Sequence, residues 1–294
     1  MTDVTVVGTG VTGSAIVRAC VDSGLEVSVW NRTRERSARL TGRDVRLHAT
    51  AAEAIETSPI VLLCLLNYEI THAVLDEAGA DLSGKLVVQS AAGVPDDVAP
   101  LRERVEAAGG RYLEAAILNY PDAIGTEDCF TVYSGAAEDF KELAGVTEAL
   151  SGKQVRLGAD PAYAKAYHVV SSAFHYAFVS GFLECSAIAE SIGVPLHEFA
   201  ESVPLYDPAF RNTICVGLGL IARRDYTFEQ APLTSHLDVL NNLAEIAERA
   251  GIDQSYLAVM RERVLRAMEQ GYRREHVAVL TEQFRSRRAA VHNR

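Results

Sequence analysis

The sequence predicts an α/β domain with a doubly wound parallel sheet, then a long helix, then an all-α domain. Three observations predict it. A glycine turn, Gly8-x-Gly10-x-x-Gly13, directly follows a short apolar run and opens a segment with helical spacing. Short apolar runs then alternate with helical segments up to about residue 158, which is the pattern of a parallel sheet wound by helices. From Ala162 to Ile192 there is no proline and a single glycine, Gly181, and every strong pattern after Leu196 is helical.

Taken in order, Asp3 to Val7 reads as a buried strand and Ser14 to Val21 as the helix after the turn. Glu26 to Trp30 is the second strand of the unit, and the glycine turn between them makes the first domain Rossmann-like. Pro59 to Leu66 is a nearly continuous apolar strand, a helix follows around Tyr68 to Glu77, and Lys85 to Ser90 repeats the strand pattern. Tyr112 to Leu118, Cys129 to Ser134 and Gln154 to Leu157 are further strand candidates. Asp160-Pro161 starts the long helix and Gly193 ends it. Leu237 to Ala250 and Tyr256 to Met268 are helices of the last domain, and the basic tail from Arg285 is expected to fray. The predicted division is 1–160, a dinucleotide-binding domain, 161–193, an interdomain helix, and 194–294, a helical dimerisation and substrate domain.

Composition narrows the function. The chain has 294 residues, 48% hydrophobic and 23% charged, with mean hydropathy +0.05, which suits a soluble globular enzyme. A formal charge of −11 argues against nucleic acid and anionic membrane surfaces as partners. No signal-peptide pattern or membrane-length apolar run is present, so a cytoplasmic location is expected. Five widely spaced cysteines, Cys20, Cys64, Cys129, Cys185 and Cys215, read as small core residues, and no metal site is expected.

The turn, Gly8-Thr9-Gly10-Val11-Thr12-Gly13, is the first cofactor candidate. Gly8 permits the tight bend, Gly10 lets the backbone approach a pyrophosphate, and Gly13 lets the helix pack closely, with the phosphates at the helix N-terminus. Where an acid would bind the ribose of NAD, the second strand ends in Trp30-Asn31-Arg32-Thr33. Asn31, Arg32, Thr33 and Arg36 offer donors and positive charge, which favours NADP(H), with a solvated helix face as the lesser alternative for the arginines. Leu65, Leu66, Ser90 and Ala91, at the ends of later strands, complete the cofactor candidates. On a helical wheel of the long segment His168, Ser172, Lys165, His175 and Tyr176 share a polar face. Val169, Val170, Ala173, Phe174, Phe178 and Val179 fall on the others and read as core. A solvated Lys165, a hydrogen-bonded core His175 and a Ser172 bonded to its own helix are equally open.

Several segments match one family in order and spacing: Gly8 to Gly13, Val29 to Thr33, Cys64-Leu65-Leu66, Gly110 to Ile117, Pro121 to Gly125, Tyr133-Ser134-Gly135, Leu157 to Pro161, and Glu245 to Gly251. The chain resembles the NADPH-dependent imine reductases, a branch of the β-hydroxyacid dehydrogenase superfamily. The resemblance covers nearly the whole chain. It implies a homodimer with exchanged helical domains, reduction of C=N bonds, and for some members condensation of a carbonyl compound with an amine. Departures accompany it. Ala166 falls where the dehydrogenase branch has a catalytic lysine, His168 falls where many imine reductases carry Asp or Tyr, and Ala92 replaces an asparagine.

The expected chemistry is hydride transfer from NADPH to an imine or iminium carbon. His168 is expected to give a proton to the nitrogen or hold the substrate, with Tyr176 as a second donor. The substrate is expected to be a small imine or a carbonyl and amine pair. Tyr206, Phe210, Tyr226 and His236 are candidates for its pocket, Phe210 and Tyr226 fitting a core equally well. Two other readings stay open. One is a β-hydroxyacid or other alcohol dehydrogenase using Lys165, with Arg211, Arg223 or Arg224 clamping a carboxylate, and the other is a non-catalytic NADPH-binding protein.

Overall fold

The structure, a computed structural model, describes residues 2–40, 42, 44–227 and 231–285. Packing divides it into two compact units, Met1–Phe174 and His175–Arg294, and the division falls inside the long helix. The basic tail beyond Arg285, expected to fray, lies outside the described residues.

In the first unit the predicted runs become β1 (Val4–Val7), β2 (Val27–Trp30), β4 (Ile60–Leu63), β5 (Leu86–Gln89), β6 (Arg111–Ile117), β7 (Phe130–Gly135) and β8 (Lys153–Arg156), and a short edge strand that no apolar run announced, β3 (Val45–Leu47), joins them. They form one sheet in the order β3-β2-β1-β4-β5-β6-β7-β8. Every pairing is parallel except β6 with β7. The runs are continuous because both faces of the sheet are covered. Val4, Val6, Ile60, Leu62, Leu86 and Val88 pack on one face with α1 (Val11–Asp22) and α7 (Ala144–Leu150). Val7, Val61, Leu63 and Val87 alternate to the other face, against α3 (Ala51–Thr57), α4 (Tyr68–Ala78) and α5 (Val98–Ala107). Two short helices, α2 (Arg34–Ala38) and α6 (Ala137–Glu142), complete the winding.

The long helix is α8 (Ala162–Ser191), 30 residues. Its start is tied to the sheet by one hydroxyl. Ser134 Oγ donates to the Pro161 carbonyl at 2.5 Å and accepts from the Ala164 amide at 2.8 Å, while Asp160 Oδ1 accepts from Ala162 N–H at 3.0 Å. Two of the orphan donors of this helix N-terminus, the amides of Ala162 and Ala164, are thereby satisfied from within the first unit.

The second unit holds the end of α8, then α9 (Leu196–Arg223), α10 (Leu233–Ala250) and α11 (Ser255–Glu269). Its core gathers Leu220, Tyr226, Leu233, Val264, Ala267, Met268, Val279 and Leu280. Among the described residues no strand follows Arg156.

Two expectations are corrected. Val169, Val170, Phe174 and Phe178 on α8 are not core within one chain, since Val170 is 69% exposed and Phe174 59%. Cys185 and Cys215 are exposed as well, unlike Cys20 and Cys129. Helical periodicity reports that a face is apolar, and says nothing of what covers it.

Candidate active site

The strand order reverses between β1 and β4, so the loops after their C-terminal ends diverge and leave a crevice. A groove of about 500 Å³ lies there. Gly8, Gly10, Val11, Thr12 and Gly13 line it from the turn, Asn31, Arg32, Thr33 and Arg36 from the segment after β2, Leu65 and Leu66 from after β4, and Ser90 from after β5. Thr9 and Ala91 do not line it. Thr9 is buried with its Oγ1 3.1 Å from Ser37 Oγ, and Ala91 is buried with its carbonyl turned to the interior. Trp30, Cys64, Ile70, Val74 and Ala92 also line the groove. The signal for them was present: Trp30, Cys64 and Ala92 stand at or just past strand ends and Ile70 and Val74 in the first turns of α4, where such a crevice must be walled.

The glycines divide the work of the turn. Gly8 has φ +100°, a conformation that side chains disfavour. A Cβ on Gly13 would come 1.9 Å from the Gly8 carbonyl oxygen, so Gly13 keeps the turn itself closed. A Cβ on Gly10 would meet nothing within 4 Å. That position is open toward the groove, where backbone must approach a ligand. Gly10 is the N-cap of α1 and no side chain caps this helix, so its first amides and the positive end of its dipole are free for an anion.

The segment after β2 sets the charge. Asn31 Oδ1 accepts from the Thr9 amide at 3.0 Å and its Nδ2 donates to the Thr33 carbonyl at 2.9 Å. Its amide group therefore locks this segment to the glycine turn, and Arg32, Thr33 and Arg36 remain as the exposed donors. No Asp or Glu is among the lining residues. The groove lining here thus offers cations and no carboxylate, which fits NADP(H). Burial pushes the Cys64 thiol up to about 11 despite the Ser90 hydroxyl beside it, which disfavours a thiolate there.

Behind the groove lies a polar cluster. Lys165, on the first turn of α8, is 1% exposed, and its Nζ donates to the Ala91 carbonyl at 2.6 Å and pairs with Glu114 Oε1 at 3.0 Å. Glu114, on β6, is fully buried, and Tyr112 Oη donates to its Oε2 at 2.5 Å. Lys165 Nζ also stands over the Tyr68 ring, 5.5 Å from its centroid. Burial raises the Glu114 carboxyl to about 6, with Lys165 and Tyr112 acting the other way. Sequence periodicity missed this cluster. The one local sign was a Glu inside the apolar run Tyr112-Leu-Glu-Ala-Ala-Ile117.

On α8 beyond Lys165, His168 is half-buried, with its imidazole held below its usual range by burial and then by the Lys165 charge. Tyr176 is 71% exposed and its ring lies edge-on to His175, centroids 5.6 Å apart. In the second unit Tyr226 is core, its hydroxyl bonded to Glu282. Tyr206 and Phe210 are exposed and stacked, and His236 is partly buried, which lowers its pKa.

Residues 3–158 match the family described as the NAD binding domain of 6-phosphogluconate dehydrogenase, and residues 160–286 match the C-terminal domain of NADPH-dependent reductive aminase-like proteins. An NADPH-dependent reductive aminase of Aspergillus oryzae is 24% identical over 282 residues, 95% of either chain. An imine reductase structure from a Pseudomonas species superposes with TM-score 0.90 at 27% identity, covering 97% of this chain and 99% of its own. A reductive aminase from Aspergillus terreus, in complex with NADPH4, cyclohexanone and allyl amine, does so with TM-score 0.89 at 26% identity over 97% and 99%. The chain belongs to the imine reductase family.

The chain is thus an oxidoreductase that reduces C=N bonds with NADP(H). Neither other reading is favoured. Lys165 is neither solvated nor open to a substrate: it is buried and committed to Ala91 and Glu114. Of the arginines considered as a carboxylate clamp, Arg211 is exposed and paired with Asp207 one turn away on α9, at 2.9 Å. Among the described residues no three His, Cys, Asp or Glu side chains gather to hold a metal, and no helix is long and apolar enough to cross a membrane.

Proposed function

We propose that NADP(H) lies in the groove at the β1–β4 switch, its pyrophosphate on the free amides of α1 and its 2′-phosphate on Arg32, Thr33 and Arg36. The observation that carries this is a groove lining that holds Arg32 and Arg36 and no carboxylate, on a segment locked to the glycine turn through Asn31. When bound, the reduced nicotinamide supplies a hydride to the imine carbon. The chain's own tasks are to hold the reactants in line, exclude water and deliver one proton to nitrogen. In this reading His168 gives that proton, with Tyr176 as a second donor, and the product is the amine. The substrate is a small imine, or a ketone and amine that condense to one.

NADPH oxidation against cyclic imines, ketone and amine mixtures, and hydroxy acids tests the reading, with turnover expected for the first two. In the same assay Arg32→Ala is expected to raise KM for NADPH about tenfold, the loss of one charge-assisted contact, and to leave NADH nearly unchanged. Equal losses with both cofactors would remove the 2′-phosphate assignment.

The working unit in this reading is a homodimer in the cytoplasm. Val170, Phe174 and Phe178 on α8 and Leu205, Phe210 and Leu218 on α9 are all exposed, Leu205 by 79%. Apolar surface on this scale within one chain calls for a partner, and a second copy is always at hand. Light scattering is expected to give the mass of two chains, about twice 31.8 kDa. Phe174→Glu with Phe178→Glu is expected to shift it toward one chain, and a wild-type protein that runs as a monomer at micromolar concentration would refute the dimer.

A further inference from the structure

The largest fully buried side chain in the first unit belongs to a lysine. Lys165 touches neither solvent nor the groove, so it takes no part in the chemistry described above, yet burying an ammonium is costly unless it is paired. Its two partners come from different places. Glu114 is part of the sheet, on β6, and offers the charge. Ala91 belongs to the strap after β5, whose flanking residues Ser90 and Ala92 wall the groove. The strap is pinned at other points also. Ser90 Oγ donates to the Leu63 carbonyl at 3.1 Å, Ala92 bridges Asn67, and Gly93 lies so close on the Tyr68 ring that a Cβ there would clash. Lys165 is the one among these contacts that comes from α8, and His168 stands one turn further along the same helix.

We infer that Lys165 is a positioning residue: held by Glu114, it clamps the strap that walls the nucleotide groove to the helix that carries His168. The clamp sets the distance between the cofactor wall and the proton-giving group without either ligand touching the lysine. Ala91, which does not line the groove, acts through its carbonyl as the far jaw. This rests on the groove being the NADP(H) site, and the test separates the two ideas.

Four proteins are compared at pH 8: wild type, Lys165→Met, Lys165→Met with Glu114→Gln, and Lys165→Gln with Glu114→Gln. Thermal melting and NADPH affinity by quenching of protein fluorescence are read beside kcat. Lys165→Met alone leaves an unpaired buried carboxylate, and its Tm is expected to fall by about 10 °C. The Met and Gln double variant removes both charges and is expected to melt near wild type, since neutral replacement of a buried pair costs little. Its NADPH Kd is nevertheless expected to rise about tenfold, the worth of one charged hydrogen bond, with kcat lowered too. The double glutamine variant keeps a donor that can reach the Ala91 carbonyl and is expected to recover most of that affinity. A Met and Gln double variant with wild-type Tm, Kd and kcat would overturn the clamp, as would failure of both double variants to fold, which would make the pair purely structural. A wild-type enzyme that binds no NADPH would overturn the groove assignment beneath it.

Discussion

Gly13→Ala is expected to cost the enzyme NADPH affinity by about a hundredfold, together with a lower Tm, from the overpacking strain of one methyl group. The added Cβ would lie 1.9 Å from the Gly8 carbonyl oxygen. That neighbour is backbone, so no rotamer relieves the clash. Gly8 is itself fixed, at φ +100° and with its amide donating to the Trp30 carbonyl at 2.8 Å. The strain must open the turn that aims the α1 amides at the pyrophosphate. Gly10→Ala supplies the contrast. It meets no protein atom within 4 Å, and Gly10 has φ −67°, which any residue adopts. Its stability loss should stay within about 1 kcal/mol, the difference between glycine and alanine as an N-cap. Binding should still weaken, because the methyl occupies the space a pyrophosphate needs. The pair of variants is read by melting without cofactor and by NADPH titration. Equal melting and equal affinity for Gly13→Ala and wild type would show that the turn is more pliant than its geometry.

What the sequence could report depended on how local the cause was. The glycine turn, the apolar strands and the start of α8 at Asp160-Pro161 are dictated by backbone sterics within a few residues, and each stands where the pattern puts it. The basic segment after β2 was legible as charge, but the use of Asn31 as a lock between two loops needed the fold. Lys165 shows the limit most clearly. A wheel places its Cα on the polar face with His168, yet its long stem reaches inward to a carboxylate on β6, a tertiary pairing that no periodicity carries. Val170 and Phe174 fail in the opposite sense: their apolar face is real, and within one chain it is left uncovered. Ala91 and Ala92 differ by a single residue step, one turned inward and the other to the groove.

His168→Ala is expected to lower kcat for a preformed cyclic imine by about 10²–10⁴-fold, the usual worth of positioned acid catalysis. The pH profile separates this from a loss of packing. Burial, reinforced by the Lys165 ammonium one turn earlier, keeps the His168 pKa below its ordinary 6.5. Its protonated form is therefore a minor species at neutral pH and a stronger acid than free imidazole. If that form gives the proton, wild-type kcat should rise as pH falls toward a midpoint below 6.5 and level off beneath it, and His168→Ala should lose this limb. Stability moves the other way. A group whose folded pKa is depressed binds fewer protons in the folded state, so folding weakens as pH falls through the unfolded value near 6.5 and stops weakening once below the folded one. Activity and stability should thus diverge with acidification across one window, and both slopes should vanish together in the alanine variant. His168→Ala retaining more than about half of wild-type kcat from pH 6 to pH 9 would remove His168 as the proton donor and leave the task to Tyr176 or to solvent.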